Sequence, residues 1–239
     1  MAKIIIKNLS KKFNDTLALN NIKLEFEENK ITGLLGTNGA GKSTLIRILT
    51  GEIKATSGEV SILGIDINNL DKIRKLVNVS PQENAIISNL TVYENLCFFQ
   101  NLYGLNDKEN LEKIIRQFNL QEYRNKRAKV LSGGYKRRLS IAISMITAPR
   151  IIFLDEPTLG LDVVARHALW RIIREISKNT TIVITSHYLE EIESLCDEVA
   201  ILSKGELKAF GNISEIKAIA GKDTFEDAFI EIVGDYDEI

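Results

Sequence analysis

Cysteine, proline and long apolar runs are all scarce in this chain of 239 residues. Its two cysteines, Cys97 and Cys196, are far apart and lack metal-ligand spacing, so we expect core thiols in a reducing compartment. No apolar run reaches the ~20 residues that a membrane helix needs. The most apolar stretch, residues 139–154, is interrupted by Pro149 and Arg150. The first residues also lack the apolar region of a signal peptide. These absences predict a soluble chain that reaches a membrane only through a partner.

An excess of charge of either sign is missing as well. The 31 basic and 32 acidic residues are interspersed and give a net charge of −1. The chain therefore offers no general electrostatic reason to bind nucleic acid or an anionic membrane. The hydrophobic content of 44% is enough for a substantial core. We see no internal repeat or flexible linker, and the length allows one domain, residues 1–239, with subdomains.

A glycine-rich loop at residues 36–44 fits the pattern Gly-x-x-x-x-Gly-Lys-Ser/Thr of a phosphate-binding loop, or P-loop. An apolar strand at residues 31–35 before it and a helix at residues 43–49 after it are the context that the motif requires. The expected nucleotide-binding residues are Gly36, Asn38, Gly39, Ala40, Gly41, Lys42, Ser43 and Thr44.

The chemistry of phosphate binding explains each residue type in this loop. Glycines let backbone N–H groups approach phosphates without a Cβ in the way, and the helix N-terminus favours an anion. Lys42 adds a point charge near the β- and γ-phosphates. Ser43 offers a hydroxyl to Mg²⁺, which prefers oxygen ligands. The alternative, a glycine-rich turn with a surface lysine, is weaker because strand and helix flank the loop.

Two acids end an uninterrupted apolar strand at residues 151–156. Buried parallel strands have this composition, and ligands gather at their C-terminal ends. Asp155 could hold Mg²⁺ directly or through water. Glu156 could orient and deprotonate an attacking water, as phosphoryl transfer requires.

Three further residues leave alternatives open. Phe13, between strands at residues 3–9 and 22–27, could stack on an adenine ring or serve as a hydrophobic plug. Gln82, just past a strand at residues 77–80, could reach a metal or water, or be a solvated loop residue. His187, after a strand at residues 180–185, could contact a γ-phosphate or have a structural role. We interpret the other histidine, His167, as structural.

A helical block separates these strands. Thr91 and Glu94 form a capping-box pattern ahead of an apolar helix, and Asp107 caps a second helix. We expect a helical subdomain at about residues 88–148. We expect a hairpin at residues 199–202 and 207–210. Helices are expected at residues 214–220 and 224–232, within a C-terminal extension at about residues 213–239 that ends in an acidic tail.

The segment Ser132, Gly133 and Gly134 begins a helix that we expect to run to Pro149, with Ser132 as N-cap. Small residues at a helix start expose amides to an anion. A helix terminus contributes about 0.3–2 kcal/mol, whereas even millimolar binding needs roughly 4 kcal/mol. The segment would therefore be a second half-site that closes over a nucleotide held elsewhere.

Taken in order, these motifs make nearly the whole chain resemble the ATP-binding subunits of ABC transporters. The P-loop is followed by a glutamine loop with Gln82, and residues 131–135 match the family signature Leu-Ser-Gly-Gly-Gln up to Tyr135. The acidic strand, an aspartate loop at residues 160–162 and the switch histidine His187 complete the set. The P-loop by itself marks a very large superfamily, whereas all six in this order are highly specific.

The resemblance implies an α/β fold: a P-loop NTPase core with a mixed, mostly parallel sheet, an antiparallel β subdomain and an inserted helical subdomain. It implies that two such domains, as a homodimer or heterodimer, sandwich two ATP molecules with Mg²⁺. Ser132, Gly133 and Gly134 would cover the partner's nucleotide, Asp162 would lie at the dimer interface, and Phe13 would stack on adenine. Ser43, Gln82 and Asp155 would serve the metal, and Glu156, Gln82 and His187 the catalysis.

Within the family, residues 91–96, 102–104 and 224–229 look like the drug- and antibiotic-exporter branch. The expected function is an ATPase that powers export through an integral membrane subunit, at the cytoplasmic face of the membrane and without nucleic acid. The alternatives are an importer ATPase, a soluble ABC-type ATPase of translation or DNA repair, and a regulatory module with little hydrolysis. Two departures matter: Tyr135 replaces the usual glutamine, and Thr37 stands where proline is common.

Overall fold

A six-stranded sheet forms the centre of the computed structural model, which describes residues 2–234, with side chains from residue 4 onward. The strand order is β10-β9-β3-β8-β7-β6, and all neighbours are parallel except the edge pair β10 and β9. These strands are β3 (Ile31–Gly36), β6 (Val77–Ser80), β7 (Ile151–Asp155), β8 (Thr181–Thr185), β9 (Glu198–Ser203) and β10 (Glu206–Gly211). The mixed, mostly parallel sheet predicted from the sequence is confirmed.

The central strands β3, β7 and β8 consist almost entirely of buried residues. Helices cover both faces of a parallel sheet, so its strands are apolar throughout instead of alternating. One face packs on residues such as Phe118, Leu139 and Ile173, and the other packs on residues such as Phe26 and Leu45. The sheet therefore holds its loops on a rigid base.

A second sheet is antiparallel and has the strand order β2-β1-β4-β5. Its strands are β1 (Ala2–Phe13), β2 (Thr16–Glu27), β4 (Ser57–Ile62) and β5 (Ile65–Asp66). β1 and β2 are much longer than predicted, and Phe13 is the last residue of β1 instead of lying between strands. The register of their pairing shifts at four places, with asparagines such as Asn8 and Asn21 in the left-handed region. These bulges break the period of two by which sequence patterns identify strands.

Nine helices lie in the part of the chain that the structure describes. They are α1 (Lys42–Leu49), α2 (Leu70–Ile73), α3 (Val92–Leu102), α4 (Lys108–Gln117), α5 (Gly133–Ser144), α6 (Val163–Ser177), α7 (Leu189–Leu195), α8 (Ile213–Ala220) and α9 (Phe225–Val233). The sequence analysis missed α2, α7 and β5. The first and last of these are very short, and α7 buries few apolar residues, so none gives a strong periodic signal.

Helices α3, α4 and α5 all fall in the region expected to be a helical subdomain. The predicted capping box is present, since Thr91 Oγ1 accepts from the Glu94 N–H at 3.1 Å and Glu94 Oε2 accepts from the Thr91 N–H at 2.8 Å. Asp107 Oδ1 caps α4 by accepting from the Asn110 N–H at 2.9 Å. Helix α5 ends at Ser144, earlier than the predicted end at Pro149; residues 145–147 form a turn, and Ala148 ahead of the proline lies in the left-handed region.

The C-terminal helices pack on the sheet edge. Residues such as Ile216 and Phe225 form a third apolar cluster with Val199 and Ile201 of β9. Both helices and the β9–β10 hairpin were predicted within a few residues, whereas the acidic tail from residue 235 lies outside the described residues. Cys97 and Cys196 carry free thiols packed against the core, as expected. None of the helices described is both long and apolar enough to cross a bilayer.

The capping box gives a prediction about stability. Replacing Thr91 with alanine removes the acceptor of the Glu94 N–H and should lower the free energy of unfolding by about 1 kcal/mol. Urea denaturation followed by circular dichroism measures the change. Ser214→Ala, at an exposed position in α8, is the control and should alter stability by less than about 0.5 kcal/mol. Equal stabilities of the two variants would show that the box contributes nothing.

Candidate functional site

A cleft of about 310 Å³ lies at the edge of the sheet where parallel strands β3, β7 and β8 end. Its size is in the range of small-molecule sites, which begin at about 300 Å³. It is lined by Ala18, Asn38, Gly39, Ala40, Gly41, Lys42, Ser43, Thr44, Gln82, Asp155, Glu156, Thr185 and His187. Most residues predicted to serve the nucleotide are therefore brought together by the fold.

The loop between β3 and α1 requires glycine at two positions. Gly36 has φ 151°, and a Cβ there would lie 2.3 Å from the Leu202 carbonyl oxygen. Gly41, the N-cap of α1, has φ 102°, and a Cβ there would lie 2.7 Å from the Ala18 carbonyl oxygen. The backbone of β9 and of β2 therefore holds the loop so closely that a side chain would displace it. Such a loop can present its amides to an anion at a helix N-terminus.

Lys42 is held inside this loop by two carbonyl groups. Its Nζ donates to the Gly36 oxygen at 2.7 Å and to the Thr37 oxygen at 3.1 Å. Burial lowers the pKa of the Lys42 ammonium, and the charges of Glu156 and Asp155 partly oppose this shift. A partly desolvated ammonium interacts more strongly with an anion than a hydrated one does, so this side chain fits a phosphate ligand.

The two acids after the apolar strand occupy different conformations. Asp155 is the last residue of β7, whereas Glu156, which was predicted to end the strand, lies beyond it with φ 46° in the left-handed region. The Glu156 N–H donates to the carbonyl oxygen and to Oγ1 of Thr185, each at 3.1 Å. These hydrogen bonds hold the chain in a turn that an extended continuation of the strand would not allow.

Thr185 is a site residue that the sequence analysis missed. Besides accepting from the Glu156 N–H, its hydroxyl donates to Asp155 Oδ1 at 2.6 Å, so one buried side chain contacts the Asp155 carboxylate and the Glu156 backbone. Asp155 and Thr185 are direct partners in the parallel ladder. The sequence feature that could have identified Thr185 is its position at the end of a predicted strand, immediately before Ser186 and His187.

His187 is paired with Glu156. The imidazole Nε2 lies 2.6 Å from Glu156 Oε1; the histidine side chain is 52% exposed and the glutamate side chain 10% exposed. The imidazole therefore contacts solvent on one side and the carboxylate on the other. An Nε2–H donated to Glu156 Oε1 can orient the carboxylate at the mouth of the cleft.

A magnesium ion fits the oxygen-bearing side chains of the cleft. Ser43, Gln82 and Asp155 all line it and supply a hydroxyl, an amide oxygen and a carboxylate oxygen. Across residues 2–234 no three His, Cys, Asp or Glu side chains cluster as a metal site. One carboxylate with neutral oxygens is still the pattern expected for Mg²⁺ held jointly with substrate phosphates.

Phe13 lies outside the cleft but near its rim. Its ring is 41% exposed, with Lys11 Nζ 4.8 Å from the ring centroid. Phe13 ends β1, and Ala18 on the following strand lines the cleft. The exposed ring does not plug the core, which leaves it accessible to a flat ligand.

The predicted signature segment also lies outside the cleft. Ser132 and Gly133 are exposed at the start of α5, and the Ser132 side chain makes no capping hydrogen bond. Asp162, from the predicted aspartate loop, caps α6 by accepting from the Ala165 N–H at 2.8 Å. Neither segment lines the cleft of its own domain.

Tyr135, which stands where a glutamine was expected, packs inside the molecule. Its ring stacks against Tyr123 with centroids 4.0 Å apart, and the Arg138 guanidinium carbon lies 4.8 Å from its centroid. Packing to Tyr123 is a contact that a glutamine could not make, and it ties the start of α5 to the preceding 3₁₀ turn, Gln121–Tyr123.

Two buried charges near the cleft were not identified from the sequence. Arg137 on α5 is 4% exposed, and Glu191 on α7 is fully buried. Glu191 Oε2 accepts from Thr158 at 3.0 Å and Ser186 at 2.6 Å, and Oε1 accepts from Trp170 Nε1 at 2.9 Å. Because Thr158 follows Glu156 and Ser186 precedes His187, this carboxylate connects the two segments that carry the Glu156–His187 pair.

In this cleft a phosphate-binding loop follows a central parallel strand and lies beside an acid pair and a histidine. This arrangement defines the class of the protein, a P-loop nucleotide-binding protein. The family model described as ABC transporter matches residues 19–159. This chain belongs to the ABC transporter family.

Curated relatives agree with this assignment. The chain is 40% identical over 220 residues to the phospholipid-transporting ATPase ABCA3 of Mus musculus, an alignment covering 89% of the chain and 13% of that protein. It is 36% identical over 242 residues to the probable multidrug ABC transporter ATP-binding protein YbhF of Escherichia coli, covering 97% and 42%. The chain thus spans less than half the length of each of these relatives.

Solved structures share the fold. An ATP-binding subunit of an ABC transporter superposes with a TM-score of 0.84 at 27% identity, covering 96% of this chain and 98% of that one. A dimeric ATP-binding cassette bound to ADP and phosphate superposes with a TM-score of 0.73 at 26% identity, covering 87% and 98%. The family and the ABC ATPase fold predicted from the sequence are confirmed.

The buried carboxylate gives a prediction about pH. Burial raises the pKa of Glu191, although its three donors and Arg166 oppose the shift. A raised pKa means that the protonated form is favoured on folding, so stability falls as the pH rises above about 4.3, the ordinary glutamate value. Glu191→Gln cannot ionise and should lose this dependence.

Thermal unfolding of both proteins between pH 4 and 8 measures the effect. The melting temperature of the glutamine variant, relative to wild type, should rise as the pH increases. Glu193→Gln, exposed on the same helix, should follow the wild-type profile throughout. A constant difference between Glu191→Gln and wild type would rule out the raised pKa.

Proposed function

We propose that this chain hydrolyses ATP and powers export through a membrane-spanning partner. The observation that carries the proposal is the single cleft in which the phosphate loop, Asp155, Glu156 and His187 meet. A phosphate cradle without a base would support binding only. The paired acid and imidazole supply the groups that transfer of the γ-phosphoryl group to water requires.

The chain binds ATP through its loop. The amides of residues 38–43 surround the phosphates at the N-terminus of α1, and Lys42 turns from the Gly36 and Thr37 carbonyls to the β- and γ-phosphates. Ser43, Asp155 and Gln82 would hold Mg²⁺. When bound, the ion neutralises charge that develops on the phosphate oxygens. Phe13 stacks on the adenine ring at the rim.

Glu156 acts as the general base for the attacking water. The Thr185 hydrogen bonds fix its backbone, and the contact with His187 Nε2 orients its carboxylate. The proton leaves the water for Glu156 as the water oxygen attacks the γ-phosphorus; the bond between that phosphorus and the β,γ-bridging oxygen breaks, and ADP leaves with the electron pair. Gln82 orients the water, and His187, half exposed at the mouth, contacts the γ-phosphate.

A second ATPase domain completes each site. Ser132 and Gly133 are exposed, Gly134 is partly buried, and none of the three lines its own cleft, which fits a half-site that acts on a partner's nucleotide. Next to Asp162, the exposed apolar side chains Leu159, Val163 and Val164 offer surface for a protein contact. One solved relative of the same fold is a dimer with ADP and phosphate. The partner is a second copy or a related domain.

The proposal of export through a membrane partner rests on the names of similar proteins. The names of two of them specify phospholipid transport and probable multidrug transport. A third protein of the same fold, cbiO1 from Clostridium perfringens, is part of an ABC transporter complex. No helix among the described residues is long and apolar enough to cross a membrane. The proposed membrane-spanning partner would provide the path for cargo. The ATPase would lie at the cytoplasmic face of the membrane.

Glu156→Gln tests hydrolysis. The amide cannot accept the proton, so steady-state phosphate release should fall about 10²- to 10⁴-fold, while ATP affinity should remain. Lys42→Ala should instead weaken ATP binding, measured by calorimetry. Glu193→Gln is the control and should hydrolyse at the wild-type rate.

Trapped ATP should also lock the Glu156→Gln variant as a dimer. Light scattering with ATP and Mg²⁺ should show twice the mass of 26.8 kDa, and the signature-segment variant Ser132→Arg should abolish the increase. Unchanged hydrolysis by Glu156→Gln would exclude the base, and a monomer under all conditions would exclude a sandwich of two copies of this chain.

Affinity purification of the tagged chain from its native membranes tests the transport role. We expect an integral membrane protein to co-purify in detergent and to stimulate hydrolysis when reconstituted. Recovery with ribosomes or DNA instead would favour a soluble ABC-type ATPase. ATP-driven uptake by inside-out vesicles of the complex supports export, whereas ATP-driven release from them indicates an importer.

A further inference from the structure

The guanidinium of Arg137 is buried between two loops that carry proposed active-site residues. Its Nη1 donates to the carbonyl oxygens of Pro81 at 2.5 Å and Gln82 at 3.2 Å. On the other side, Nε donates to the Pro157 oxygen at 2.9 Å and Nη2 to the Asp155 oxygen at 2.7 Å. All four acceptors are backbone carbonyls, so the contacts fix main-chain positions.

The two pairs of carbonyl acceptors lie next to, or belong to, proposed active-site residues. Asp155 and Pro157 flank Glu156, so the guanidinium holds the chain on both sides of that residue. The Gln82 carbonyl oxygen accepts from Arg137 Nη1, and the Gln82 side chain lines the cleft. One rigid group therefore sets the distance between Gln82 and Glu156.

Few side chains could replace arginine here. A guanidinium presents five N–H donors in a planar fork, whereas a lysine presents three donors at one point. Burial lowers the pKa of Arg137 to about 10, with Asp155 and Glu191 opposing the shift, so the group stays charged at neutral pH. The buried guanidinium is hydrogen-bonded only to carbonyl groups. A substitution that removes its N–H donors leaves these carbonyls unpaired, which is destabilising.

The same side chain belongs to α5, which begins at the signature segment Ser132–Gly134, where Ser132 and Gly133 are exposed. Arg137 is therefore attached by its backbone to the half-site and by its side chain to the cleft. We propose that Arg137 is a positioning residue that holds Gln82 and Glu156 in register with each other and with α5 for ATP hydrolysis. This inference rests on the proposed function.

The test compares Arg137→Lys with Arg138→Lys. Arg138 is the adjacent residue, and its guanidinium lies over the Tyr135 ring. We expect Arg137→Lys to lower kcat about 10- to 100-fold, since small misplacement of reacting groups has effects of that size. Its KM for ATP should stay within about threefold of wild type, because Arg137 does not touch the phosphate loop. Arg138→Lys should match wild type in both constants.

Amide hydrogen exchange supplies a second measurement that does not depend on turnover. Peptides covering residues 82–87 and 155–161 should exchange faster in Arg137→Lys, whereas peptides of the phosphate loop should not change. Arg137→Gln, which keeps one amide donor, provides the same comparison if the lysine variant folds poorly. A loss of kcat that only follows the loss of folded protein, measured by circular dichroism, would overturn the inference.

The outcomes separate the two proposals. If wild type and Arg138→Lys hydrolyse ATP and Arg137→Lys equals them in kcat and exchange, the positioning role is wrong and the proposed function stands. If wild type does not hydrolyse ATP under any condition, the proposed function fails. The role of Arg137 in catalysis fails with it, and the exchange data then report only on loop anchoring.

Discussion

The parallel pairing of β3, β8 and β7 is the constraint on which the rest of this structure depends. In this register Asp155 lies opposite Thr185, and Thr185 lies opposite Leu34, two residues before Gly36. The ends of three strands far apart in the chain therefore meet at one edge of the sheet. Loops leaving that edge carry the phosphate cradle, the acid pair and the histidine, and none of these could form a site by itself.

Buried polar groups stabilise this edge of the sheet in a backbone conformation that is unfavourable by itself. A left-handed residue other than glycine costs about 1–2 kcal/mol, and Glu156 is such a residue. Its N–H is satisfied by Thr185, and the carbonyls on either side of it are satisfied by Arg137. These hydrogen bonds offset the strain and orient a carboxylate out of the line of the strand.

Two buried charges bracket the same turn from opposite directions. Arg137 reaches it from α5 and contacts backbone, and Glu191 reaches it from α7 and contacts the Thr158 and Ser186 hydroxyls. A helix that begins at an exposed glycine segment and a helix that follows His187 are thereby attached to one rigid turn. This arrangement explains how groups on separate elements can be kept within hydrogen-bond reach of one ligand.

The sequence by itself determined the class of the protein, because its signals are local. A P-loop depends on contiguous residues, a buried strand on a run of apolar residues, and helix starts such as Thr91, Asp107 and Asp162 on a side chain three residues from its target. Only the tertiary structure decided the roles of Thr185, Arg137 and Glu191, the length of β1 and the packing of Tyr135. Each depends on partners brought together by sheet register and helix packing: Arg137 lies 55 residues from Gln82, and Thr185 lies 30 residues from Asp155. No pattern along the chain encodes such distances.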